Sequence, residues 1–141
     1  RDVDLLGFVA KEDLAALWRR ASFSVAPSIW QDPLPAVVFE AWERGRPVVV
    51  SDAGGLADWV EDGVDGIKVP MRDAEAWSAV MGKMLREPAR CAGMARAGAI
   101  KLHSKYSQEK WLRRIHAIYN SVSGKPAWPP TEMVTRLDKT D

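Results

Sequence analysis

Short apolar runs alternate along this chain with stretches in which apolar residues recur every three or four positions. The first run, residues 3–8 (VDLLGF), is ended by a glycine and reads as a buried strand. Residues 11–21 place Leu14, Leu17, Trp18 and Ala21 on one helical face. Residues 23–26 form the next short strand, halted by Pro27. A helix is expected over residues 35–44, since Pro35 fits the first helical turn and Gly45 suits its end. The β-branched run 47–51 (PVVVS) predicts a strand covered on both faces. Gly54 and Gly55 open a short helix to Trp59, and Ile67 to Val69 make the last strand, after the turn dipeptides Asp62-Gly63 and Asp65-Gly66.

Three longer helices follow. Asp73 caps one whose apolar face holds Trp77, Val80, Met81, Met84 and Leu85. Pro88 starts an alanine-rich helix to about Leu102. Ser107 caps the last, with Trp111, Ile115, Ile118, Tyr119 and Val122 along one face, and Trp77 and Trp111 are both expected in the core. From Ser123 on, GKPAWPP and a polar end read as linker or tail, so the expected division is a domain over residues 1–122 and a tail over 123–141. The alternation predicts an α/β fold with a parallel sheet and helices on both faces, ending in helices. In such sheets ligands bind beyond the carboxyl ends of the strands. The loop at residues 32–35 and the Gly54-Gly55 turn both lie at such ends.

Composition adds limits. The 141 residues suit one domain of ordinary size, and 47% apolar with 28% charged is the balance of a water-soluble globular chain. The sequence has no run of the ~18 uncharged apolar residues that a membrane span needs. Cys91 stands alone, which excludes an internal disulfide and fits a reducing compartment, so a cytoplasmic location is expected. The net charge of +1 gives no general case for nucleic acid. The charge is unevenly spread: residues 1–82 carry 8 Lys and Arg against 14 Asp and Glu, and residues 83–116 carry 9 against 2. The basic face of the last helix (Lys110, Arg113, Arg114) offers at most a peripheral membrane contact. Arg1 follows no visible element or leader, and the expectation is a piece of a longer protein.

Candidate chemistry gathers between Pro27 and Gly55. Asp32 stands on a loop before the helix and Glu40 inside it. A helix start offers unpaired N–H groups and a positive dipole end, for which phosphate is the usual anion. Pro35 has no N–H, so Ala36, Val37 and Val38 would supply the donors. A carboxylate at Glu40 can accept two hydroxyls at once, as a ribose diol requires. Gly54-Gly55 would let a ligand approach the backbone closely. Together these describe a pocket for a nucleotide diphosphate carrying a polyol. His103 and His116 lack a metal-ligand partner at useful spacing.

The same stretch resembles the donor-binding segment of the retaining glycosyltransferases of the GT-B fold, the group 1 glycosyl transferases. Their pattern is P-S, E-P-F-G-L-V-V-L-E-A, G-x-P-V-V, S-D-x-G-G and D-G-x-x-G. Here it stands as Pro27-Ser28, then Asp32 through Ala41 (DPLPAVVFEA), then Gly45 through Val49 (GRPVV), Ser51 through Gly55 (SDAGG) and Asp62 through Gly66 (DGVDG). The order holds from Leu6 to about Tyr119.

The resemblance implies a Rossmann-like domain, the C-terminal half of a GT-B fold. It implies Glu40 as holder of the nucleotide ribose and Asp32 as the catalytic-site acid that contacts the transferred sugar. It further implies the amides of Leu34, Ala36 and Val37 at the diphosphate, Val9 at the base, and Ser28, Gly54 and Gly55 as donor-loop positions. The donor would be a nucleotide diphosphate sugar, with no cofactor and no metal. The partner would be an N-terminal acceptor-binding domain that this chain lacks, and no nucleic acid is expected. The isolated piece would be inactive alone. Two positions depart from the pattern. Asp32 replaces Glu, shortening the reach by roughly 1.5 Å, and Pro35 replaces Gly, removing one donor. The shorter acid leaves open an alternative, a non-catalytic α/β module that binds a nucleotide or a protein.

Overall fold

A computed structural model describes residues 3–31, 33 and 36–123. The chain divides into two compact units, Arg1–Leu102 and His103–Asp141. In the first unit the elements run α1 (Lys11–Arg20), β1 (Ser24–Ala26), α2 (Ala36–Glu43), β2 (Val48–Ser51), α3 (Gly54–Trp59), β3 (Gly66–Val69) and α4 (Ala74–Arg86), followed by α5 (Pro88–Lys105), which runs into the second unit; α6 is Gln108–Ser123.

The three strands form one sheet in the order β1-β2-β3, with both pairings parallel. Ser24 is opposite Val48, and Val48 is opposite Gly66. A parallel strand pair needs a crossover, and α2 and α3 supply the two crossovers. β2 lies at the centre, and all four of its residues are buried. Its alternate side chains enter two different cores, as the pleat requires. Val48 and Val50 join Val38, Ala41, Trp42, Leu56 and Val60 on the side of α2 and α3. Val49 joins Val69, Trp77, Met84, Cys91 and Met94 on the side of α4 and α5. The expected parallel sheet with both faces covered is therefore present.

Local signals place the helices. Asp73 accepts a hydrogen bond from the Ala76 amide at 2.9 Å and caps α4. Gly45 follows α2 with φ at +64°, the left-handed turn that ends a helix. Arg46 donates to the carbonyls of Trp18 and Arg19, at 3.1 and 2.9 Å, so the open end of α1 is satisfied by the turn before β2. Burial raises the pKa of the Cys91 thiol, with the Glu87 carboxylate adding to the shift, and its Sγ donates to the Met84 carbonyl.

Three expectations fail. Residues 3–8 form no strand; they are irregular and exposed, with Leu5 at 96% and Phe8 at 97%. A strand persists only where a neighbour pairs its backbone, and among the described residues no ladder reaches this run. Leu85 also faces solvent, although Trp77 and Met84 of the same helix are buried. The face of α4 that meets the sheet is narrower than its apolar residues suggest. In the second unit, Ser107 accepts from the Lys110 amide at 3.3 Å and caps α6 as expected. Yet α6 has no buried residue, and Trp111 is 60% exposed rather than in the core. The expected tail lies outside the described residues beyond Ser123.

Candidate donor-binding site

The loops after β1 and β2 come together at the carboxyl edge of the sheet. Gly54 opens α3 with φ at +48°, and a Cβ there would lie 2.9 Å from both Cα and the carbonyl carbon of Gln31. No other residue fits both that dihedral and that contact. What approaches the backbone at Gly54 is thus the chain just before Asp32, which the Gly-Gly turn holds in place. Gly55 is buried behind it. Ser28 shapes the start of the same loop: its Oγ accepts from the Trp30 amide at 3.2 Å. Trp30 itself is exposed.

Asp32, Leu34 and Pro35 lie outside the described residues. Ala36 begins α2 and is exposed; Val37 is half-buried against the core, and Val38 is fully buried. The first N–H groups of a helix have no partner within it, and this start of α2 lies at the sheet edge. Glu40 lies one turn further on and is exposed. Arg44, four residues on, is placed where an ion pair with Glu40 would ordinarily form. Instead its Nη1 donates to the Glu40 carbonyl at 2.9 Å and approaches Glu43 at 3.4 Å. Its guanidinium carbon stands 5.5 Å from the centre of the Trp18 ring. The Glu40 carboxylate consequently makes no ion pair among the described residues. Val9 is half-buried just before α1, and no hydrogen bond among the described residues joins it to the other candidates.

Two cavities, of about 260 and 310 Å³, lie at the opposite edge of the sheet. One is lined by residues including Ser22, Pro47 and Cys91, the other by Trp18, Arg44 and Arg46 among others. Among the described residues no three His, Cys, Asp or Glu side chains are grouped to hold a metal. None of the described helices is long and apolar enough to cross a membrane.

The sequence profile described as glycosyl transferases group 1 matches residues 1–87. The chain belongs to this family. Among its curated relatives, D-inositol 3-phosphate glycosyltransferase of Salinispora tropica is 33% identical over 108 residues, 77% of this chain and 22% of that protein. Glycogen synthase of Mycobacterium tuberculosis is 33% identical over 75% of this chain and 25% of its own length. The chain thus spans about a quarter of the curated relatives it matches. Of solved structures, sucrose-phosphate synthase from Thermosynechococcus elongatus superposes with a TM-score of 0.77 at 27% identity, over 84% of this chain and 30% of that one. HepE of Anabaena, crystallised with UDP-glucose, gives 0.76 at 23% identity, covering 83% of this chain and 32% of its own. That likeness shows this group 1 chain to have the fold of about a third of each of these proteins.

Sequence reasoning about this glycosyl transferase segment missed one group beneath α2. Trp42, Asp65, Gly98 and Lys101 meet there, and the sequence marks Asp65 only as part of a turn dipeptide. A glycine inside an alanine-rich helix was the available signal, since such a position often marks close packing.

Proposed function

We propose that the chain is the donor-binding domain of a glycosyltransferase that transfers a sugar from a nucleotide diphosphate sugar with retention of anomeric configuration. The observation that carries this reading is the exposed Glu40 carboxylate, which makes no ion pair among the described residues. It stands one turn inside the start of α2, while its ordinary partner Arg44 is turned onto a carbonyl and an indole. In this reading Glu40 accepts the ribose hydroxyls, and the amides of Ala36 and Val37 meet the diphosphate together with Leu34. As the glycosidic bond breaks, charge grows on the leaving diphosphate. Backbone dipoles already aimed at that position stabilise it without reorganising. Asp32 contacts the transferred sugar, Ser28 and the Gly54-Gly55 turn hold its loop, and Val9 lies at the base.

Two relatives support the donor class: HepE was solved with UDP-glucose, and the D-inositol 3-phosphate enzymes are glycosyltransferases by name. In this reading the acceptor is bound by an N-terminal domain, and the basic residues at the diphosphate come from the start of the C-terminal domain, ahead of this chain's first residue. No metal enters this reading. With a nucleotide sugar as donor and one cysteine, the reaction belongs in the cytoplasm. The cavities at the opposite sheet edge have no part in it, because a site walled by one half of a cleft is an open surface.

Calorimetric titration of the chain with UDP, GDP and ADP tests the reading. Glu40→Ala should weaken whichever nucleotide binds by about 1.5–3 kcal/mol, the worth of a hydrogen bond to a charged group. Equal affinity in wild type and variant would remove the ribose assignment.

A further inference from the structure

α2 is only eight residues long, and a helix of that length does not hold itself in water. Its position is set by what grips its buried face, above all Trp42, which is fully buried two residues beyond Glu40. The indole N–H of Trp42 donates to the Asp65 carbonyl at 3.0 Å. Asp65 is itself 1% exposed, and a carboxylate so buried is strongly unfavourable unless paired. One of its oxygens accepts from the Glu61 amide at 2.9 Å, the other from Lys101 Nζ at 2.7 Å.

Lys101 is on α5, yet its ammonium also donates to the Trp59 carbonyl at the end of α3, at 2.6 Å. It stands 5.2 Å from the centre of the Trp42 ring, within the range of a cation–π contact. One charge therefore ties the end of α3, the turn before β3 and the underside of α2. One helical turn earlier, the α5 backbone at Gly98 lies so near the indole that a Cβ would be 2.2 Å from Trp42 Cδ1. α5 thus presses on Trp42 from one side while Lys101 holds the group it is bonded to.

We propose that Lys101 is a positioning residue for donor binding: through Asp65 and Trp42 it fixes where α2, and with it Glu40, stands against the sheet. The inference rests on the reading of α2 as the donor helix. Accepting two hydroxyls of one diol leaves little tolerance, because hydrogen bonds weaken within a few tenths of an ångström. A small displacement of α2 then costs affinity although Lys101 never touches the ligand.

The test compares Lys101→Met with the double variant Lys101→Met/Asp65→Asn, each titrated with UDP, GDP and ADP well below its melting temperature. The single variant strands a buried charge and should lose both stability and affinity. The double variant removes that charge and keeps an acceptor for the Glu61 amide, so stability should recover. Affinity should stay roughly tenfold below wild type in both, as expected when a distant change shifts binding groups. Amide exchange in α2 should stay faster than wild type in both as well. If affinity returns with stability in the double variant, Lys101 is structural only and the proposal falls. It falls equally if Lys101→Met binds within twofold of wild type while Glu40→Ala does not, an outcome that leaves the donor reading intact. Wild type binding none of the three nucleotides would overturn both.

Discussion

Residues 3–8 and β2 carry the same kind of sequence, a short apolar run bounded by turn residues, and their fates are opposite. β2 is buried at all four positions, with a strand on each edge and a core on each face. Residues 3–8 have neither, and Leu5 and Phe8 stand in solvent. The helices repeat the contrast: α4 buries Trp77 and Met84, whereas α6, with an equally regular apolar stripe, buries nothing. An apolar run states what a segment can bury. Whether it does so depends on neighbours that the run itself does not specify.

The contrast is broken most directly by placing a charge in each run. Val50→Asp puts an unpaired carboxylate where exposure is 0%, and should cost more than about 4 kcal/mol, enough to unfold a domain of ordinary stability. Leu5→Asp, on a residue 96% exposed, should change stability by less than about 0.5 kcal/mol. Urea unfolding followed by circular dichroism reads both. A large loss at Leu5 would mean that residues 3–8 are covered after all.

The helices give the next largest effect. Trp77 is 9% exposed and its indole N–H donates to the Pro70 carbonyl at 3.2 Å, so Trp77→Ala should cost about 3–5 kcal/mol. Trp111→Ala should cost less than about 0.5 kcal/mol in the same titration. Equal losses would place Trp111 in a core and erase the distinction between α4 and α6.

These pairs show why the sheet was legible and its borders were not. PVVVS is β-branched as well as apolar, which favours a strand, and a proline and Gly45 bracket the helix before it, so Pro47 to Ser51 read correctly to within a residue. Asp73 and Ser107 announced their helices because a cap is a local bond between near neighbours. The helix that carries Glu40 was legible because ordered motifs mark it. That the Glu40 carboxylate makes no ion pair among the described residues was not, because that depends on where the Arg44 guanidinium turns. Asp65 and Lys101 are 36 residues apart and no periodicity joins them. Gln31 beneath Gly54 is hidden for the same reason, since packing between loops leaves no pattern along either.

The finest comparison lies within α5, between two glycines five positions apart that the sequence treats alike. At Gly93 a Cβ would meet nothing within 4 Å. Alanine there should stabilise the chain by about 0.5–1 kcal/mol, because it narrows the unfolded ensemble and favours the helix. At Gly98 the same methyl would enter the Trp42 ring, at 2.2 Å from Cδ1. Neither partner gives way easily, since one is helix backbone and the other a fully buried indole held by the Asp65 carbonyl. Gly98→Ala should therefore destabilise by about 1–3 kcal/mol, the usual cost of overpacking a core. Thermal melts of the two variants should move in opposite directions from wild type. Shifts of the same sign would show that α5 can slide off Trp42. The helix carrying Glu40 would then be held by the sheet, α3 and the Asp65 carbonyl without α5.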